Sequence, residues 1–156
     1  MQKLKRLKKY QKEILKPLYD LAEIYEVKAF FFPQKGNDLL AWAEGKNNSI
    51  HIPVSIKYFN GDIENIYSVF FHELQHIINY REGYFKAYHN PSKSDKNFAN
   101  LKRTAFRAEL FTDRKAEELM KLYFPKLKYV KHYKNNKKMK KTLLAFIDTG
   151  DHKLWM

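Results

Sequence analysis

Residues 69–80 read VFFHELQHIINY, and the reading of this stretch decides the fold. Tyr67, Phe70, Phe71, Leu74, Ile77 and Ile78 recur at i, i+3, i+4 and i+7, the pattern of a helix packed into a core. Asp62 is placed to cap the N-terminus of that helix. Glu64 falls in its first turn, where the helix dipole favours an acid. At the other end Arg81-Glu82-Gly83 looks like a stop, with Gly83 as the left-handed residue just beyond it.

Within the stretch lies His72-Glu73-Leu74-Gln75-His76, an HExxH pattern. On a helix of about 3.6 residues per turn the two histidines project from nearly the same face, roughly 6 Å apart along the axis. Two imidazoles so placed reach one tetrahedral Zn2+ at about 2.0–2.1 Å, and Glu73 leans over the open coordination position. A zinc ion lowers the pKa of water toward about 7, and a neighbouring carboxylate then passes the proton to a leaving amine. Glu73 is the candidate general base. The plainer alternative is a buried helix that carries two histidines and no metal.

Composition bounds what surrounds this helix. A chain of 156 residues with 44% hydrophobic and 16% aromatic content can bury a core as one domain, and it is not the composition of a disordered chain. There is no cysteine, so disulfides, thiolate zinc sites and a Cys nucleophile are excluded, and any metal must be held by His, Asp or Glu. A reducing cytoplasm fits that usage. The basic N-terminus lacks the apolar run of a signal peptide, and no stretch approaches a membrane span, so neither secretion nor membrane anchoring is expected.

The net charge of +13 is concentrated at the ends: residues 1–16 hold seven basic residues against Glu13 (net +6), and residues 124–141 hold eight lysines and no acid (net +8). Everything else comes to −1. Such ends can attract nucleic acid or another polyanion. The excess of Lys over Arg, alongside many Asn, Ile, Tyr and Phe residues, also matches the codon bias of an AT-rich genome.

Along the chain, residues 2–26 read as a helix with Leu4, Leu7, Ile14, Leu18, Leu21, Ala22 and Tyr25 on one side and lysines on the other. Pro17 kinks it or opens a second segment. Packing across the back of a sheet is the reading preferred over a membrane-surface helix. Residues 27–32 form a β-branched and aromatic run closed by Pro33, followed by a turn. Residues 39–43 and 49–54 are two further apolar segments around Glu44-Gly45-Lys46-Asn47-Asn48, a hairpin loop rich in residues that tolerate positive φ. A small, mostly antiparallel sheet is therefore expected before the HExxH helix, with Pro53 at a strand end or an edge. An exposed edge beside a metal site can accept an extended peptide as a further strand.

Residues 84–97 are polar and aromatic without period and read as a lid or binding loop. From Asn97 a long helix resumes through Leu101, Ala105, Ala108, Leu110, Thr112, Ala116, Leu119 and Leu122, ending before Pro125. Beyond it, Tyr129, His132 and Tyr133 stand among lysines, a mixture that can track single-stranded nucleic acid or form a solvated basic face. Residues 142–147 are a short apolar element, and Trp155 can dock on the core.

A catalytic zinc usually takes three protein ligands. The long helix carries Glu109, Asp113 and Glu117 at successive i, i+4 positions, where like charges repel by a few tenths of a kcal/mol. No Lys or Arg lies three or four residues from Glu109 or Asp113, so a cation from elsewhere is implied. Zinc bound by Glu109, with Asp113 on the outer nitrogen of a ligand His, would supply it. Glu82, His89 and Glu117 are the other candidate third ligands. Tyr88, His89, His132 and Tyr133 are unranked candidates for stabilising a tetrahedral oxyanion.

HExxH followed on a later helix by Glu109-Leu-Phe-Thr-Asp113-Arg-Lys-Ala116 (ExxxDxxA) resembles the gluzincin metallopeptidases. Most similar are the CAAX-prenyl and HtpX-type peptidases and the ImmA/IrrE-type phage-regulator peptidases. The resemblance covers roughly residues 39–123. It implies an α+β zincin fold, a substrate-binding edge strand, His72, His76 and Glu109 as zinc ligands, Asp113 behind them, and a phage or mobile-element setting. Three departures stand out: no membrane helices as in the HtpX type, no convincing helix-turn-helix, and Gln75 where HELGH has glycine. His76-Ile-Ile-Asn79-Tyr-Arg-Glu82 also faintly resembles the extended HExxHxxGxxH/D motif, and His89 could serve in a SprT-like arrangement.

The expectation is a single zincin-like domain over residues 1–156, with a basic N-terminal helix (1–26) and a basic C-terminal segment (124–141), acting as a cytoplasmic zinc peptidase on a protein or peptide. Two alternatives stand beside it: a nucleic-acid-associated zincin of the antirestriction or DNA-crosslink type, and a degenerate zincin serving as an interaction protein.

Overall fold

The computed structural model describes residues 9–34, 41–54, 63–83 and 98–131, with side chains from residue 11 in the first stretch and residue 108 in the last. Leu4, Leu7, Asp62, residues 84–97 (expected as a lid or binding loop) with Tyr88 and His89, and residues 132–156 with His132, Tyr133 and Trp155 lie outside the described residues. The described elements are three helices and a three-stranded mixed sheet, an α+β arrangement.

Helix α1 (Lys9–Ile24) runs through Pro17 as one element, so the proline does not divide it. Its missing N–H forfeits one helical bond, a local cost that burial of Leu15, Leu18, Leu21 and Ala22 on one side outweighs. Glu26 adopts φ 56°, and Val27 N–H reaches back to the Ala22 carbonyl at 2.8 Å, closing the helix with a left-handed residue that is not glycine.

Strands β1 (Lys28–Pro33), β2 (Trp42–Glu44) and β3 (Ser49–Val54) lie in the order β1-β3-β2. The hairpin is antiparallel, pairing Trp42 with His51 and Glu44 with Ser49. The longer ladder is parallel, pairing Lys28 with Ser49 through to Pro33 with Val54. This corrects the expected mostly antiparallel sheet. The hairpin docks on β1 through β3, whose Ile50, Ile52 and Val54 are all buried, and the three-residue β2 is left at the edge. Pro53 sits on the central strand, near its end and two residues past the last β2 pairing, where no bond toward β2 is lost.

Helix α2 (Ile63–Arg81) buries Ile66, Phe70, Phe71, Leu74 and Ile77, and Tyr67 Oη donates to the Ile14 carbonyl of α1 at 2.6 Å. Gly83 takes φ 78°, as expected of the residue past the helix end. Arg81 in the last turn donates to the Tyr25 and Glu26 carbonyls and to Asn48 Oδ1 at 3.0 Å, so one guanidinium holds the end of α1 and the hairpin turn together. Helix α3 (Phe98–Tyr123) packs on α2 with Ala108, Thr112, Ala116 and Met120 fully buried. Leu110 and Leu122, expected on the apolar side, are exposed.

After α3 the chain doubles back along α2. Lys128 N–H donates to the Glu64 carboxylate, and Val130 N–H donates to Ser68 Oγ at 2.8 Å. Between these two anchors sits Tyr129, buried at 8% exposure. It is therefore not the exposed stacking residue that its lysine-rich surroundings implied.

Candidate metal centre

The i, i+4 spacing on α2 puts the rings of His72 and His76 with centroids 4.9 Å apart, and Glu109 of α3 reaches between them. His72 Nε2 is 2.9 Å from Glu109 Oε2, and His76 Nε2 is 3.0 Å from Glu109 Oε1. His72 Nδ1 turns the other way, to Asp113 Oδ1 at 3.3 Å, and the Tyr129 hydroxyl donates to that same oxygen at 2.5 Å. His72, Glu109 and Asp113 are 3%, 2% and 6% exposed, so these contacts lie out of water and are little screened.

Electrostatics follow from that burial. Desolvation works to lower the pKa of His72, but hydrogen bonds to Asp113 and Glu109 outweigh it and push the ring up to about 10. Burial would raise Glu109, yet the charges and hydrogen bonds of His76 and His72 hold its carboxyl well below the usual carboxylate range. Glu73, 7% exposed beside them, is raised by burial, and the pull of the two histidines offsets only part of this. Tyr129 is raised by burial and then by Asp113, which leaves its phenol protonated and a donor.

One ligand atom from each of His72, His76 and Glu109 lies within 4.8 Å of the others. A tetrahedral shell at about 2.0–2.1 Å needs its donor atoms roughly 3.3 Å apart. The contacts of 2.9 and 3.0 Å run to the two different oxygens of Glu109, and the three ligand atoms lie within 4.8 Å of one another, so the three residues could hold a metal ion after side-chain adjustment. They are the one such group among the described residues. The donors are two imidazole nitrogens and a carboxylate oxygen. Asp113 behind His72 is the kind of contact that fixes the orientation of a metal-ligating imidazole.

Of the other candidate ligands, Glu82 is exposed at the end of α2, and His89 lies outside the described residues. Glu117, which looked like the third member of an unrelieved acidic ladder, is paired with Lys121 at 3.5 Å and Lys131 at 4.0 Å. Sequence reasoning missed Tyr129, because it lies beyond α3 in a segment without period. Its place among lysines pointed to solvent.

The chain was compared with known protein families, curated proteins and solved structures, and none matched.

Proposed function

We propose that this chain is a zinc-dependent metallopeptidase. The observation that supports it is the convergence of His72, His76 and Glu109 on one point inside the protein, with Glu73 beside it. His72, His76 and Glu109 would hold the ion, and Asp113 with Tyr129 would fix the His72 ring. Zinc bound there would acidify water and polarise the carbonyl of a peptide bond. Glu73, with a carboxyl raised by its burial, is suited to accept the proton of the attacking water and return it to the leaving nitrogen. A cytoplasmic setting belongs to the same proposal; among the described residues no helix is long and apolar enough to cross a membrane.

Glu73→Gln tests the reading. The variant is expected to keep about one zinc per chain while losing peptide hydrolysis by several orders of magnitude. Full activity in this variant, or a wild-type protein that takes up no zinc when it is offered, overturns the proposal. The nucleic-acid reading rests on the basic ends, residues 1–16 and 124–141, of which 1–8 and 132–141 lie outside the described residues, and no described contact favours it.

A further inference from the structure

Gln75 stands at the position where the chain departs from HELGH, and it begins a buried chain of hydrogen bonds. Gln75, Asn79 and Thr112 are 7%, 4% and 0% exposed. Gln75 Nε2 donates to Asn79 Oδ1 at 2.8 Å, Asn79 Nδ2 donates to Thr112 Oγ1 at 3.0 Å, and the Thr112 hydroxyl donates to the Ala108 carbonyl at 2.7 Å. The direction is determined. A hydroxyl has one proton, and in Thr112 it goes to Ala108, so its oxygen accepts from Asn79. That fixes the Asn79 amide, whose carbonyl then accepts from Gln75.

The bridge stands in a definite relation to the metal ligands. Asn79 follows His76 by three residues on α2, and Thr112 follows Glu109 by three on α3. The Asn79–Thr112 bond thus crosses between the same two helices that carry His76 and Glu109, whose nearest atoms are 3.0 Å apart, each of its ends about one turn along its own helix from a ligand. The two histidines owe their spacing to α2 alone. Glu109 is 33 residues past His76 in sequence, and its distance from both rings depends on how α3 lies against α2. Apolar contacts such as those of Ala116 and Met120 are non-directional and tolerate sliding. A hydrogen bond does not: a shift of α3 that lengthened the ligand distances would also break Asn79–Thr112 and strand two buried polar groups.

We infer that Asn79 and Thr112, with Gln75 behind them, are positioning residues that hold Glu109 at coordinating distance from His72 and His76. The inference rests on the metal-binding reading above. It gives Gln75 a purpose at a position where glycine could build no such bridge.

Thr112→Val removes the hydroxyl and keeps the shape, and Thr112→Ser keeps the hydroxyl. Zinc affinity of the full chain is measured for both by competition with a chelator, with far-UV circular dichroism of the metal-free proteins and the visible spectrum of their Co2+ forms alongside. Thr112→Val is expected to bind zinc about tenfold more weakly, with unchanged helix content and an altered Co2+ spectrum, while Thr112→Ser stays within about twofold of wild type. Wild-type affinity and spectrum in Thr112→Val would show a bridge that serves stability only, and would overturn the inference while leaving the metal site intact. A wild-type protein that binds no zinc removes the metal reading and this inference with it. Should Thr112→Val fail to fold, Gln75→Leu is titrated instead. A weakening of about threefold supports the bridge and no change overturns it.

Discussion

Tyr129 donates a hydrogen bond to Asp113 Oδ1, the same carboxylate oxygen that faces His72 Nδ1. The phenol comes from the segment after α3, held against α2 by Lys128 N–H on Glu64 and Val130 N–H on Ser68. A residue 57 positions from His72 thus acts on its ring through one intermediary. Tyr129→Phe keeps the packing and removes the donor, which leaves Asp113 freer to rotate away from His72. Zinc affinity should fall about tenfold. Competition titration measures it, with helix content of the metal-free variant as control; equal affinities would mean that the Tyr129 contact is a packing feature alone.

Gly45, in the β2–β3 turn, lies under the ring of Tyr80 on α2. A Cβ at Gly45 would overlap Tyr80 Cγ and sit 2.6 Å from Cδ2 and 2.7 Å from Cδ1, well inside contact distance. Either the Tyr80 ring or the turn must move to admit it, and the neighbouring Arg81 ties this end of α2 to the end of α1 and to the hairpin. Gly45→Ala should cost about 1–3 kcal/mol in chemical denaturation. In a Tyr80→Ala background the same substitution should cost much less, because the clash is gone. An equal cost in both backgrounds would place the strain elsewhere.

Sequence carried the parts of this structure that are encoded locally. The 3.6-residue period around His72, the stop at Gly83, and the loop between Trp42 and Ser49 each depend on residues within a few positions of one another. Glu109 and Asp113 were legible for a different reason: two acids one turn apart without a basic neighbour are unfavourable unless something distant compensates them. What was not legible depends on long-range docking. Nothing between Pro33 and Trp42 states whether β2 or β3 will pair with β1; burial of Ile50, Ile52 and Val54 decides it. Pro17 breaks a helix by propensity and is carried by tertiary packing. The bond from Asn79 to Thr112 joins two ordinary polar residues that have no pattern in common.

The metal-free protein should lose stability as the solution becomes alkaline, and the ligands fix the sign. His72 is raised in the folded state to about 10, above its ordinary value near 6.5. The stabilisation that its proton provides is therefore complete below the ordinary value and is lost as pH rises through about 10. Glu109 is lowered, so its contribution is present above the ordinary carboxylate value and disappears only on acidification. Glu73 is raised, and its ionisation above the ordinary carboxylate value opposes folding, in the same direction as the loss at His72. Between about pH 6.5 and pH 9, Tm of the metal-free chain should fall. Zinc reverses the dependence on His72, because a metal ligand must be a neutral imidazole and uptake releases its proton. The gain in Tm on adding zinc should therefore grow across the same interval. Thermal melts of both forms, at matched ionic strength, measure the two slopes. A metal-free Tm that is level over this range, with a zinc increment that does not change, would show that His72 is not held as an imidazolium by Glu109 and Asp113.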